Sequence, residues 1–282
     1  METKKVWFVT GASKGLGLSL IKKLLANNYR VAATSRKINS LIQELGDASA
    51  SFLPIEMDIT DNENVNQAVK ECISHFGEID VVVNNAGFSQ IGTLEELSEE
   101  EVKNNFEVNV FGSLNVIRNV APYLRAQNSG YIFNIASVGG YDGGFPGFGI
   151  YCATKFAVVG FTEALAQEMK EFGVNVSVVY PGYFRTNFLS KGSIQTALQP
   201  IRAYKSARAS EQAHLEEING NQPNDPERAA EILMEISELA QPPLHLFLGK
   251  DAYAVVEKKN ALIAQCMDDF EALATSTAFE SN

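Results

Sequence analysis

Lys5-Val6-Trp7-Phe8-Val9-Thr10-Gly11-Ala12-Ser13-Lys14-Gly15-Leu16-Gly17 carries more architectural information than any other stretch of this chain. Its first six residues are a short apolar, β-prone run, and behind it Leu18, Leu20, Ile21, Leu24 and Leu25 recur at helical spacing. Strand, glycine-rich turn and helix, in that order, is the setting in which a loop cradles a dinucleotide pyrophosphate. Glycine permits positive φ and close backbone approach, while the helix N-terminus offers unpaired N–H groups and a partial positive charge. The spacing is Gly-x-x-x-Gly-x-Gly, distinct from the commonest Gly-x-Gly-x-x-Gly fingerprint. Tight strand-to-helix turns also arise for purely structural reasons, so the loop needs company.

Further strand-like runs follow at Arg30–Ser35, Ser51–Met57, Ile79–Asn84, Tyr131–Ala136 and Val174–Tyr180. Helical patterns occupy 15–27, 37–46, 61–76, 98–126 and 151–171. Such alternation predicts an α/β fold, a doubly wound parallel sheet with right-handed crossovers and helices on both faces. After Pro181-Gly182 the rhythm breaks, and 183–224 carries helical pieces without a strand signal. A helix over 225–240, Pro242-Pro243 and a seventh strand around His245–Leu248 complete the pattern. The expectation is one nucleotide-binding domain over 1–282, with 183–224 an excursion near the carboxyl ends of the strands that serves as a substrate lid. A docking or oligomerisation segment is the alternative. Beyond residue 270 little is available to anchor the tail, which is expected to fray.

The 282 residues, 45% of them hydrophobic, suffice for one sizeable core. Thirty-four acidic against 23 basic residues give a net charge of −11, which argues against nucleic-acid or anionic-membrane binding. Cys72, Cys152 and Cys266 are scattered and odd in number, as expected of reduced thiols in a cytoplasmic protein. His75, His214 and His245 lie far apart without partners at ligand spacing, so no metal site is expected and the histidines read as solvated or capping. With the first strand so near residue 1, no cleaved leader is expected, and no apolar run reaches the ~20 residues that cross a bilayer.

One further pair bears on chemistry. Tyr151 and Lys155 stand four residues apart in Tyr151-Cys152-Ala153-Thr154-Lys155, on one face of the expected helix. A free tyrosine, with a pKa of ~10, is a poor proton donor or acceptor at neutral pH, and a fixed cation beside it lowers that value. A drop of ~3 units requires about 4 kcal/mol of differential interaction. Taken alone, the pair equally describes a solvated helix face.

Together, Thr10-Gly11-Ala12-Ser13-Lys14-Gly15-Leu16-Gly17, Asn84-Asn85-Ala86-Gly87, Ser137 and Tyr151-x-x-x-Lys155 resemble the short-chain dehydrogenase/reductases. The glycine spacing is similar to that of the classical single-domain branch, and Asn109 and Pro181-Gly182 fall where that branch has its catalytic asparagine and its loop beneath the nicotinamide. The match covers about residues 4–190. Within the family, the stretch from Tyr151 to Leu165 and the long tail resemble the 17β-hydroxysteroid-dehydrogenase-like and retinol-dehydrogenase-like subgroup.

The resemblance implies a nicotinamide-dependent oxidoreductase. Tyr151 is then general acid in carbonyl reduction and general base in alcohol oxidation, Lys155 lowers its pKa and binds the nicotinamide ribose, and Ser137 donates to the substrate oxygen. Ser137 also fits a simple cap. Asn109 would interrupt its helix locally and hold a proton-relaying water. Asn84 would both brace the sheet and border the adenine ribose, with Asn85, Ala86 and Gly87 beside it as cofactor-binding residues, although Asn and Gly there equally make a structural turn. Asp58 and Ile59 would recognise the adenine edge, Pro181 and Gly182 would underlie the nicotinamide, and Thr186 would bind its carboxamide.

Cofactor choice follows from charge. NAD enzymes place an acid about 20 residues past the glycine loop, whereas here Thr34-Ser35-Arg36-Lys37 offers none. Arg36 can fork onto a 2′-phosphate and Lys14 adds a second cation, so NADP(H) is expected over NAD(H). Phe88, Tyr141, Phe145, Phe148, Tyr183, Phe184 and Phe188 crowd the expected pocket loops, which points to an apolar or aromatic carbonyl or secondary alcohol as the small-molecule substrate. The resemblance also implies a homodimer or homotetramer packed through the helices at 98–126 and 151–171. The rival reading, a non-catalytic dinucleotide-binding redox sensor or scaffold, would be expected to lack Tyr151, Lys155 or Ser137. The glycine spacing disfavours an epimerase or dehydratase.

Overall fold

The computed structural model describes residues 4–190 and 192–279. Strands among them are β1 (Val6–Val9), β2 (Arg30–Ser35), β3 (Phe52–Glu56), β4 (Val81–Asn84), β5 (Ser89–Ile91), β6 (Gly130–Ile135), β7 (Val174–Pro181), β8 (Ile194–Thr196) and β9 (His245–Leu248). Seven of these form one parallel sheet in the order β3-β2-β1-β4-β6-β7-β9. The chain winds outward from β1 to β3, then restarts on the other side of β1 with β4. That reversal opens a crevice at the carboxyl ends of β1 and β4, the usual ligand position in open α/β sheets.

Helices α1 (Gly15–Ala26), α2 (Ile38–Leu45), α3 (Asn62–Phe76), α4 (Glu99–Phe106), α5 (Gly112–Gln127), α6 (Gly149–Lys170), α7 (Lys205–Gln212), α8 (Pro226–Ser237) and α9 (Lys250–Thr275) accompany the strands. Local chemistry sets several of their ends. Asp61 accepts from the Glu63 and Asn64 N–H groups to open α3, and Ser98 with Glu101 forms a reciprocal capping box on α4. Asp225 caps α8, with Pro226 at its first position.

Period-two alternation on the buried strands divides the core. Val6, Phe8, Val82 and Ile132 pack against Val65, Val116 and Val120 of α3 and α5. Their neighbours Trp7, Val9, Val81 and Phe133 face the other way, against Leu20, Leu24 and Leu233 of α1 and α8. Both faces are thus covered, as a parallel sheet requires.

Four expectations need correction. Residues 98–126 are not one helix, because a π-helical turn, Glu107–Phe111, separates α4 from α5. The excursion at 183–224 does contain a strand: β8 pairs in parallel with β5, which the sequence reading left as loop. Residues after 248 form α9, a helix with no expected counterpart that runs past residue 270 to Thr275, with every described side chain from Asn260 onward exposed. Finally, His214 is neither solvated nor a cap but buried, in a second π-helical segment, Ala213–Ile218.

No helix among the described residues is long and apolar enough to cross a membrane, and none of their His, Cys, Asp and Glu side chains cluster in threes as a metal would need.

Candidate active site

The turn after β1 is shaped for close approach. Gly11 sits at φ +63°, where a Cβ would lie 2.6 Å from the Ala86 Cα, and Gly15 sits at φ +61°. Gly17 is needed for packing, since a Cβ there would meet the Asn85 Nδ2 at 2.6 Å. That Asn85 amide donates to the Thr10 and Gly11 carbonyls, both at 3.0 Å, and the Thr10 hydroxyl accepts from the Asn85 and Ala86 N–H groups, both at 3.1 Å. The β1 and β4 exits are thereby tied into one rigid floor. Helix α1 begins without a side-chain cap and without an acid in its first turn, leaving those N–H groups to an anion. An uncapped, acid-free helix start beneath positive-φ glycines fits a dinucleotide pyrophosphate.

Lys14 and Arg36 stand at one end of this floor. Burial, and then the neighbouring Arg36 guanidinium, hold the Lys14 ammonium below its ordinary value. Its Nζ donates to the Gly192 carbonyl at 3.0 Å, so the glycine loop touches the excursion. Glu56, in register with Ser35, is the nearest acid by strand pairing. Its carboxylate accepts from the Ile38 N–H at 3.3 Å and does not line the cavity. Asp58 accepts from the Thr60 N–H and hydroxyl at 3.0 and 2.8 Å, a local turn that fixes the carboxylate at the cavity edge.

Ser137, Tyr151 and Lys155 converge at the other end. A Cβ on Gly139 would lie 3.5 Å from the Ser137 Oγ and 3.6 Å from the Tyr151 ring, so that glycine marks where the two side chains meet. Ser137 also accepts from the Gly139 N–H at 3.1 Å, fulfilling its capping reading at the same time. Burial pushes the Tyr151 phenol up, and the Ser137 hydroxyl partly opposes that shift. Burial likewise brings Lys155 down to about 8. Its Nζ donates to the Ile135 carbonyl at 2.8 Å and lies 5.9 Å from the Tyr151 ring centre. Burial thus dominates the electrostatics of both side chains.

Asn109 lies in the π turn with its side chain fully engaged. Its Oδ1 accepts from the Phe88 N–H and its Nδ2 donates to the Phe88 carbonyl and the Thr154 hydroxyl, each at 3.0 Å. An amide that pairs with both backbone groups of Phe88 fixes the chain after Gly87, where a Cβ would lie 3.6 Å from the Lys155 Nζ. Asn84 donates to Asn134 at 2.8 Å, and Asn134 donates to Thr162 at 2.9 Å, so the asparagine does brace the sheet. Pro181 ends β7, and Thr186 hangs over Gly15, 3.9 Å from where its Cβ would be.

Lys14, Arg36, Asp58, Ser137, Tyr151 and Lys155 line one cavity of about 410 Å³, whereas Gly17, Asn84 and Asn109 do not line it. Phe88, Phe145, Phe148, Tyr183, Phe184 and Phe188 belong to its wall. Tyr141 does not; it bonds to the Asn260 side chain on α9.

Sequence reasoning missed three supports. Glu96 is buried and accepts from the Thr93 N–H at 2.8 Å, the Ile201 N–H at 2.7 Å and the Arg208 guanidinium, tethering the excursion to the body. Asp251 accepts from the Tyr183 N–H at 2.6 Å and the Asn224 amide at 2.7 Å, and lies so close to Gly182 that no Cβ would fit there. Tyr183 and His214 pair across the cavity wall at 2.8 Å. None has a fixed sequence spacing that would reveal it.

Comparison with known proteins agrees with this geometry. The family model described as short chain dehydrogenase matches residues 5–196. Oxidoreductase BOA17 of Botryotinia fuckeliana is 35% identical over 278 residues, covering 97% of this chain and 99% of that one. Among solved structures, a short-chain dehydrogenase from Streptomyces avermitilis is 32% identical with a TM-score of 0.87, over 97% of this chain and 100% of the other. ElxO with NADP bound (26% identity, TM-score 0.71, covering 86% and 96%) and a Burkholderia phymatum short chain dehydrogenase/reductase in complex with NAD (25%, 0.79, 91% and 93%) are also similar.

Proposed function

The chain belongs to the short-chain dehydrogenase family, and from that premise we propose that it is an NADP(H)-dependent oxidoreductase acting on a carbonyl or secondary alcohol of an apolar or aromatic small molecule. The observation that carries this reading is the meeting of Ser137 and Tyr151 at Gly139, with Lys155 buried on the same cavity wall. When bound, the nicotinamide supplies or accepts the hydride. Tyr151 supplies or accepts the proton, and Ser137 holds the substrate oxygen by a hydrogen bond.

The pyrophosphate is assigned to the α1 N-terminus with Gly11, Ser13, Gly15 and Leu16, which line the cavity, and with Gly17, which packs the turn against Asn85. Lys14 and Arg36, without a cavity-lining acid at the β2 end, support NADP(H) over NAD(H). Asp58, Ile59, Asn85, Ala86 and Gly87 are assigned to the adenosine side, and Pro181, Gly182 and Thr186 to the nicotinamide side, because all line the cavity. Asn109 acts through the Phe88 backbone and Thr154. The whole chain is read as one nucleotide-binding domain, and 183–224 as the lid over its pocket. The aromatic lining, together with the resemblance to the 17β-hydroxysteroid-dehydrogenase-like subgroup, supports an apolar substrate.

Exposed Phe111, at the end of the π turn preceding α5, and exposed Phe156 on α6 support a homodimer or homotetramer packed through these helices. Free Cys72, Cys152 and Cys266 support a cytoplasmic setting. The test is NADPH oxidation, followed by absorbance, against a panel of ketones. Tyr151→Phe should lower turnover by about 10²–10⁴-fold, and undiminished turnover in that variant would refute the assignment.

A further inference from the structure

The cavity wall carries a hydrogen-bonded pair, Tyr183 and His214, that the chemistry above does not use. His214 Nδ1 lies 2.7 Å from the Ser210 carbonyl oxygen. A carbonyl only accepts, so Nδ1 carries the hydrogen. Burial holds the ring below its ordinary pKa and therefore neutral, leaving Nε2 as a bare lone pair. The Tyr183 hydroxyl, 2.8 Å from that Nε2, must donate to it. A phenol whose single hydrogen is committed presents only lone pairs to anything else. Tyr183 is thus a directed acceptor in a wall that also carries the Phe88, Phe145, Phe148, Phe184 and Phe188 rings.

Its distance from the reacting end is bounded. The Phe148 ring lies 6.4 Å from the Tyr151 ring and 4.5 Å from the His214 ring, which caps the Tyr151-to-His214 separation at about 11 Å. The Tyr183 ring is 5.7 Å from that of His214. The Tyr151 and Tyr183 rings therefore stand no more than about 17 Å apart, with the Phe148 ring against both Tyr151 and His214.

We propose that Tyr183, oriented by His214, accepts a hydrogen bond from a hydroxyl on the substrate, so that the favoured substrates are carbonyl compounds bearing a free hydroxyl across an apolar spacer. This rests on the carbonyl chemistry proposed above only for which end of the substrate reacts. The alternative is that the pair merely pins the Ala213–Ile218 segment against α6. A structural pin would change stability and all substrates together, whereas an oriented acceptor discriminates by hydrogen-bond type.

The experiment uses the full chain with NADPH and aryl ketones in which the ring position remote from the carbonyl bears hydroxyl, methyl or methoxy, with zero to three carbons between ring and carbonyl. Both kcat/KM in the unaltered protein and dissociation constants in NADPH-loaded Tyr151→Phe protein are measured. At one or more spacer lengths hydroxyl should be preferred over its near-isostere methyl by about tenfold, and Tyr183→Phe should bring that ratio close to one. His214→Phe frees the Tyr183 hydrogen to donate, so the hydroxyl-over-methoxy preference should fall while Tyr183 is still present. Equal handling of hydroxyl and methyl ketones at every length, or a preference surviving Tyr183→Phe, would overturn the inference. Absent turnover with an intact binding preference would instead count against the carbonyl chemistry and leave the acceptor standing.

Discussion

Lys155, buried on the cavity wall, carries a cost to the fold. Folding lowers its pKa from an ordinary 10.5 to about 8. Between those values the unfolded chain holds a proton that the folded chain has lost, so stability rises with pH across that window and the penalty is complete below it. Lys155→Met should therefore stabilise the protein at pH 7, on the order of 2 kcal/mol after the lost Ile135 bond is discounted, with the gain shrinking towards pH 10.5. Denaturant midpoints at the two pH values measure this, and equal gains at both would refute it. Arg36→Asp should weaken NADPH binding by about 10–100-fold while changing NADH affinity by less than about threefold; calorimetry with both cofactors decides. Tyr151, Lys155 and the glycines were legible in the sequence because their spacing is local. The pairing of Tyr183 with His214 was not, the two being 31 residues apart in a segment without regular periodicity.

At the level of elements, the π turn at Glu107–Phe111 matters most for the site. A π turn adds one residue to a helical turn, and a hydrophobic repeat read at 3.6 residues passes over that insertion, so 98–126 reads as continuous. Only the resemblance to a known family raised an interruption at Asn109. The β5–β8 pair was illegible for another reason: each strand has three residues, too few for alternation to register. Asn109→Leu removes the partner of the buried Phe88 N–H and two donated bonds. It should destabilise the fold by about 2–4 kcal/mol and lower kcat/KM. A variant with unchanged thermal midpoint would mean that the π turn does not need its amide. By contrast, β2 and β9 were read to the residue: β2 is a short buried apolar run, and β9, an edge strand, is bounded by Pro242-Pro243 and Gly249.

The molecule as a whole couples distant parts of the chain. Strand order places β1 beside β4 and closes the sheet with β9, so its frame is set by contacts far apart in sequence. The distal part of helix α9 buries nothing: Leu262, Ile263, Met267, Phe270 and Leu273 are all exposed, although Ile263, Met267 and Phe270 recur at helical spacing that the sequence reading passed over. A helical run without tertiary packing is marginal in water. Amide hydrogens from 260 to 275 should exchange orders of magnitude faster than those of the buried face of α6, as mass spectrometry would detect; comparable protection would mean that α9 is covered in solution. The opening turn of α9 is different in kind, because Asp251 grips Tyr183 and Asn224 there. Every signature by which the family is recognised lies well upstream of that carboxylate. During synthesis, a ribosome will thus have released all the diagnostic motifs while the loop after Pro181 still lacks its clamp, and a chain clipped before Asp251 would carry a complete set of credentials yet an unfinished pocket.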